Sequence, residues 1–348
     1  MSVAAPATPQ ECAAALADAS AAGEAVDVVG GGTRSRVGRP GPPAPRRLQT
    51  TGMRRVVAHE PTDLTLTVEA GMAASDVAEL TASAGQCWPQ AEVRAGSTVG
   101  GVLATAASSR ERLRSGAVRD SLLQVVVATG DGRLVTAGGR TVKGVSGFDI
   151  PRLAVGSLGT LGVIVQVTLK LWPIPPARGW FGAEGPLEER LAAAARILGG
   201  GLRPTCVLVT PGRVSVEFAG PPDDVVAPEG LAALDAAPAE PAGGGTLEAG
   251  VSPALLGVLC GRLEDAGLDY EARMGVGTCL VGVGSAADVE RARAWAVELG
   301  GHAVVTDGDD ALRADPWGPE PPGVPIMRRL RDAFDPAGIL NRRQLLWA

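Results

Sequence analysis

Aromatic residues make up only 3% of this 348-residue chain, and there are just two histidines, His59 and His302. A histidine-rich metal centre therefore cannot be assembled from this chain alone. The five cysteines, Cys12, Cys87, Cys206, Cys260 and Cys279, are odd in number and contain no C-x-x-C pair. That pattern argues against a disulfide framework, a zinc site or a cysteine-ligated iron-sulfur cluster. They read as buried free thiols, and no metal ligand set is expected. No window approaches ~18 uninterrupted apolar residues, the length a spanning helix needs. The first residues, MSVAAPATPQECAAALADAS, lack the basic stretch and apolar run of a signal peptide. A cytoplasmic location is the expectation. An excess of positive charge is missing too. The formal net charge is -6 and the pI about 5.2, with arginines scattered along the chain, so nucleic acid is not an expected partner.

What is present is apolar content of 45%, enough for two hydrophobic cores at this length. The first half reads as short strands and glycine turns, the second as longer amphipathic helices among strands, and the style changes at Pro173-Ile174-Pro175-Pro176. We expect one domain over residues 1–175, a smaller α+β domain over 176–315 and a C-terminal return over 316–348. Residues 163–171 alternate Val163, Val165, Val167, Leu169 and Leu171 with Gln166, Thr168 and Lys170, which predicts a long strand with one apolar face. The apolar run 122–129 meets Asp131-Gly132, hairpin turn chemistry leading into residues 133–136. Past the boundary, Pro186 opens a helix closed by Gly199, with Leu187, Leu191, Ala194 and Leu198 on one face. Ser285 opens a second, closed by Gly300, with Val289, Ala292, Ala296 and Leu299 on one face. Strands flank both helices, so the smaller domain is expected to have two similar halves. Residues 221–250, rich in Pro, Gly, Ala and acid, read as a long loop with little order.

Three segments carry the chemistry. In the first, Val26-Asp27-Val28-Val29 runs into Gly30-Gly31-Gly32-Thr33-Arg34-Ser35, a strand followed by glycines that can expose successive backbone N–H groups to an anion. The prolines and glycines of residues 39–43 forbid the helix that a Rossmann fingerprint would open. The second, GSTVGGVLATAA over residues 96–107, puts small residues and hydroxyls at a helix start, where backbone donors can approach a phosphate. The third, GSLGTLGVI over residues 156–164, combines glycines and hydroxyls before the long strand. Any one of them is explained by turns or tight packing; three in one domain are not.

In order and wording these segments resemble the FAD-binding PCMH-type domains of the vanillyl-alcohol-oxidase superfamily, over residues 26–172. Residues 115–123 (SGAVRDSLL), 143–159 (KGVSGFDIPRLAVGSLG) and 334–341 (FDPAGILN) are similar to stretches of the FAD-binding small subunits of bacterial glycolate oxidases. The resemblance implies an α+β fold, a two-lobed FAD-binding domain with a smaller α+β cap to which the C-terminus does not belong, returning instead to the FAD domain. It also implies FAD contacts at Gly30, Gly31, Gly32, Thr33, Arg34, Ser35, Pro89, Gly96, Ser97, Thr98, Gly100, Gly101, Ala104, Thr105, Gly116, Val118 and Ile164. Many relatives attach FAD through a histidine in the first loop. Thr33 and Arg34 stand there here, so the implied flavin is non-covalent. Other departures are Leu158 for a common glutamate, Phe148 for a tyrosine, and Asn341-Arg342-Arg343 for a closing Asn-Pro-Gly.

The implied function is that of an FAD-binding subunit of a glycolate oxidase-like, 2-hydroxy-acid-oxidising complex, with a redox or electron-relay role. Its implied partners are a larger FAD-containing hydroxy-acid-oxidising subunit and an iron-sulfur subunit, through which it would sit peripherally at the inner membrane face. A self-sufficient FAD-dependent dehydrogenase or oxidase of a small alcohol or hydroxy acid, and a flavin-binding scaffold without chemistry, are the competing readings. No catalytic group is evident. His302, Lys143 and Arg119 are the candidates, Arg119 by pairing with Asp120 beside the ring and Lys143 by facing it. His59 reads as structural.

Overall fold

The computed structural model describes residues 2–139 and 148–344. The chain opens with β1 (Ser2–Ala4), α1 (Pro9–Ala22), β2 (Val26–Val29) and β3 (Arg46–Gln49). In α1 the Thr8 hydroxyl accepts the Glu11 N–H, Pro9 takes the first turn, and Gly23 ends the helix at φ 65°. The three strands form a parallel sheet in the order β1-β3-β2. Next come β4 (Val56–Glu60), β5 (Thr65–Glu69), α2 (Ala74–Ala82), β6 (Gln86–Cys87), α3 (Val99–Ala104), α4 (Arg112–Ser115), β7 (Leu122–Ala128), β8 (Leu134–Gly138), α5 (Ile150–Ala154), β9 (Val163–Lys170) and β10 (Trp172–Pro173). Five of these strands make an antiparallel sheet, β4-β5-β9-β7-β8. The expected β7–β8 hairpin forms, with Gly132 at φ 83°.

The strand predicted over residues 163–171 is β9, but its environment differs from the expectation. It lies between β5 and β7, and both its faces are buried. Val163 and Val165 join α1 and the three-stranded sheet in one core, while Ile164, Val167 and Leu169 join α2 and α3 in another. The polar Thr168 is accommodated by sharing a 2.9 Å hydrogen bond with buried Thr67.

Beyond the proline cluster the chain builds an eight-stranded antiparallel sheet. Its elements are β11 (Ala177–Glu184), α6 (Leu187–Gly199), β12 (Cys206–Thr210), β13 (Arg213–Gly220), β14 (Ala232–Leu234), β15 (Gly245–Gly250), α7 (Leu256–Asp265), β16 (Tyr270–Arg273), β17 (Thr278–Val283), α8 (Ala286–Glu298) and β18 (His302–Asp307). The order β14-β11-β13-β12-β16-β17-β15-β18 contains two βαββ units, β11-α6-β12-β13 and β15-α7-β16-β17, joined through β12 and β16. Within each unit the third strand lies between the other two, so the halves are alike.

The segment read as a loop, residues 221–250, is corrected by this sheet. It contains β14 and β15, and β15 is interior, with Leu247 and Ala249 buried between β17 and β18. The alternating Thr246-Leu247-Glu248-Ala249 is short and sits among Gly, Ala and Pro, which hid its period. The helices α6 and α8 form as expected. Each also buries an arginine: Arg190 pairs with Glu264 at 2.6 Å, and Arg293 donates to the Ala303 carbonyl at 3.1 Å and pairs with Asp315 at 3.0 Å.

Residues 108–115 cross from the first lobe onto this sheet. Arg110 ion-pairs with buried Glu271, which also meets Arg273 at 3.0 Å. Arg178 bridges Glu111 and Glu217, each at 3.0 Å. Finally α9 (Val324–Phe334) leads the chain back to the first lobe. The Asp335 carboxylate accepts the N–H groups of Ile339 and Leu340 at 3.1 and 2.9 Å, and Leu340 bridges to Val26.

Candidate cofactor site

The end of β2, the start of α3 and the start of β9 meet around a cleft that opens to solvent at its mouth. Residues 30–35 form one wall. The loop is anchored at its base, where the Gln49 side-chain amide donates to the Gly30 carbonyl at 2.6 Å. At its middle it lies against the second glycine segment so closely that a Cβ on Gly31 would stand 1.6 Å from the Gly96 carbonyl oxygen, and one on Gly30 would stand 2.3 Å from Thr98 Oγ1. Only glycine fits there. With Gly32 at φ 74°, the chain turns so that the backbone N–H groups of Gly31, Gly32, Thr33 and Arg34 have no hydrogen-bond partner among the described residues. Successive free amides of this kind are an anion cradle.

The second segment contributes differently from the expectation. Three of its N–H groups are occupied, Val99 donating to Met72, Gly100 to Ala70 at 2.7 Å and Gly101 to Thr98 Oγ1 at 3.2 Å, while that of Thr98 has no partner among the described residues. What it offers is close approach. A Cβ on Gly101 would meet only Thr98 Oγ1, at 3.1 Å, and otherwise open space. Ala104 and Thr105 continue the same small-residue wall, and Ile164 closes the floor.

Of the residues singled out from the sequence, Gly30 to Ser35, Thr98, Gly100, Gly101, Ala104, Thr105 and Ile164 line this cleft. Gly96 and Ser97 stand behind it, the Ser97 hydroxyl bonded to Arg94. Pro89 lines a separate interlobe cavity with Cys87, Glu111 and Trp172. Gly116 and Val118 do not line the cleft; Val118 belongs to the core beneath. The C-terminal return contributes what sequence reasoning left out. Asn341 accepts the Val28 N–H at 2.7 Å and donates to the Leu158 carbonyl at 2.7 Å, while Arg343 pairs with Asp27 at 2.6 Å. The signal was present in FDPAGILN, but its contacts are remote in sequence.

Two arginines line the cleft, Arg343 and Arg34. Arg34 meets Glu92 at 2.7 Å, and Arg94 meets the same carboxylate at 2.8 Å. Burial would push Glu92 up, but the two guanidiniums outweigh it and hold the carboxyl below its usual range. Arg94 is in turn drawn toward Glu240 and Asp307 of the second lobe.

The candidate catalytic groups lie elsewhere. His302 is exposed at the first position of β18, opposite Gly250, and does not line the cleft. Arg119 and Asp120 form a 4.0 Å ion pair at the surface, Asp120 also accepting the Ala117 N–H, and neither lines the cleft. Lys143 lies outside the described residues. His59 bonds to the Gln86 side chain at 3.1 Å on β4. Among the described residues no group of three His, Cys, Asp or Glu is placed to hold a metal, and no helix is long and apolar enough to cross a membrane. The cysteines are free. Four are buried and Cys87 is half-buried, and burial pushes the Cys12 and Cys260 thiols up to about 12.

Residues 2–138 match the family model of an FAD binding domain. The chain is 32% identical over 170 residues to glycolate oxidase subunit GlcE of Escherichia coli (strain K12), covering 48% of each protein. It is 35% identical over 123 residues to the mitochondrial D-lactate dehydrogenase [cytochrome] of Arabidopsis thaliana, covering 35% of this chain and 22% of that protein. It is 38% identical over 115 residues to D-2-hydroxyglutarate dehydrogenase of Xanthomonas citri pv. viticola, covering 33% and 24%. The chain thus aligns with about half or less of each of these relatives. A solved alkyldihydroxyacetonephosphate synthase superposes with a TM-score of 0.68 at 16% identity, over 97% of this chain and 75% of that one. That likeness is one of fold.

Proposed function

We propose that residues 2–138, which match the family model of an FAD binding domain, make the chain an FAD-dependent oxidoreductase subunit that holds its flavin without a covalent bond in the cleft behind residues 30–35. The observation that carries this reading is the row of unpaired N–H groups from Gly31 to Arg34, in a loop that lines one cleft with the small residues Gly101, Ala104 and Thr105. A pyrophosphate needs that kind of donor row, and an extended dinucleotide needs the cleft that continues from it. The residues present fit FAD. Gly31 to Arg34 would hold the diphosphate, Arg34 would add charge, and Gly101 and Ile164 would leave room for the rest. No histidine of the first loop stands ready for a covalent bond. When bound, FAD supplies a two-electron acceptor.

We further infer that the chain works within a 2-hydroxy-acid-oxidising complex, passing or receiving electrons beside a larger flavoprotein subunit and an iron-sulfur subunit. GlcE is by its name a subunit of glycolate oxidase. Oxidising a 2-hydroxy acid needs a base and a cation converging at the reacting carbon, and both histidines of this chain lie off the cleft. The test is anaerobic mixing of the isolated FAD-loaded chain with glycolate. Unchanged flavin absorbance alone, and bleaching once the partner subunits are added, is the expected result. Bleaching of the isolated chain that His302→Ala abolishes would establish a self-sufficient dehydrogenase instead.

A further inference from the structure

The loop of residues 30–35 continues into residues 36–38, and this continuation is held from the second lobe. Two turns tie it to the loop: the Ser35 N–H donates to the Gly32 carbonyl at 3.3 Å, and the Val37 N–H donates to the Arg34 carbonyl at 3.2 Å. Val37 is buried and lines the cleft. The carbonyls on either side of it, those of Arg36 and Gly38, accept from Arg313 Nη1 at 3.2 and 3.3 Å. Arg313 lies beyond β18, where its neighbour Leu312 is buried in the core of the eight-stranded sheet. Its other donors fix it there, Nε to the Gly308 carbonyl at 3.0 Å and Nη2 to Asp310 at 2.6 Å, and its side chain is only 11% exposed. The same segment meets the C-terminal return. The Arg39 N–H donates to the Arg343 carbonyl at 2.9 Å, and a Cβ on Gly38, at φ 104°, would stand 2.8 Å from that oxygen.

We propose that Arg313 is a positioning residue for the cofactor cradle, so that the second lobe governs how firmly the first lobe holds the flavin diphosphate. An anion cradle made of backbone works only while several N–H groups keep one arrangement together. The upstream end of this one is fixed by Gln49 and by the close packing of Gly30 and Gly31 on Thr98 and Gly96. Its downstream end is fixed through Arg36 and Gly38. One guanidinium nitrogen bonded to both carbonyls restrains that backbone at two points, and shielding from water strengthens the bonds. The planar fork lets a single side chain grip its own lobe through Nε and Nη2 and the first lobe through Nη1. Arg313 does not itself line the cleft, so its effect on the cofactor passes through the backbone it holds. This inference rests on the reading that the cleft holds FAD.

Calorimetric titration of the full, flavin-stripped chain with FAD and with ADP reads the cradle, because both ligands carry a diphosphate. Well below the melting temperature, Arg313→Ala should weaken both by the same factor, about tenfold, and should speed FAD release. Arg313→Lys keeps a charged donor and should restore most of the loss. Asp310→Ala removes an exposed partner of Arg313 without touching residues 36–38, and should bind like the unaltered chain. If the alanine variant does not fold, Arg313→Gln, shorter and neutral, carries the same comparison. Unchanged affinities overturn the proposal, as does a lowered melting temperature with both affinities intact, which would leave Arg313 a purely structural residue. Weakened FAD with unaffected ADP overturns it by placing the effect away from the diphosphate. Equal weakening by Asp310→Ala overturns it by assigning the effect to the loop rather than to the guanidinium. Failure of the unaltered chain to bind FAD would instead sink the reading of the cleft, so the two failures are distinct.

Discussion

Gly101→Val separates cofactor binding from folding. Gly101 lies within the short α3, and an added Cβ would meet only Thr98 Oγ1, at 3.1 Å. In a helix interior valine is no worse than glycine, which itself costs about 0.8–1.0 kcal/mol relative to alanine, so the apo fold should be unaffected or slightly stabilised. The cofactor side is different, because on the proposed reading the branched side chain would occupy space the flavin nucleotide needs. With FAD at about a hundred times its dissociation constant, binding stabilises the native chain by about 2.7 kcal/mol, and at about 2 °C per kcal/mol for a chain of this size or somewhat smaller that is a shift of about 5 °C. Thermal melts with and without added FAD, alongside the ratio of flavin to protein absorbance, read both effects. The unaltered protein should shift upward with FAD. Gly101→Val should melt with the unaltered apo protein and ignore FAD. A variant that retains full flavin and the full shift would remove Gly101 from the cofactor wall and refute the reasoning.

Asn341→Ala removes the bonds to Val28 and Leu158, each worth about 0.5–1.5 kcal/mol, and should lower the melting temperature and speed FAD dissociation; an unchanged dissociation rate would mean the C-terminal return does not seal the cleft. Leu247→Ala should cost about 2–5 kcal/mol in denaturant unfolding, because the side chain is fully buried on an interior strand; a loss below about 1 kcal/mol would return residues 221–250 to loop status. Glu92, held below its usual range by Arg34 and Arg94, contributes stability that is complete above its unfolded value of about pH 4.3 and is lost as pH falls through the lower folded value. Melting temperatures taken on acidification should therefore fall more steeply for the unaltered chain than for Glu92→Gln, and parallel curves would show that the three-residue cluster is not coupled to folding.

Local signals carried most of what sequence reading could reach. The strand ending at Val29, the helix start within residues 96–107 and the hairpin at Gly132 are each set by a few adjacent residues, so they could be placed without a structure. Residues 30–35 and 98–105 were grouped as one site on their composition and their resemblance to a family, and they do face one cleft. The failures have a different character. Asn341 reaches Val28 across 313 residues, and nothing in FDPAGILN states which strand it will meet. The apolar period of α7 is interrupted by Gly257 and Gly261, and that of β15 is too short to stand out. Arg190 and Arg293 occupy helix faces that burial would assign to apolar residues, and only Glu264, Asp315 and nearby carbonyls, all from other elements, make their burial affordable. In the second glycine segment the Val99 and Gly100 N–H groups are spent on Met72 and Ala70, which depends on where β5 ends.

The central claim is that the cleft behind residues 30–35 holds FAD by non-covalent contacts alone. Precipitating the purified yellow protein with acid and identifying the released flavin by chromatography and mass tests it most directly. One FAD per chain in the supernatant, with a colourless pellet, is the predicted result. FMN in the supernatant, or flavin that stays with the precipitated chain, would contradict it.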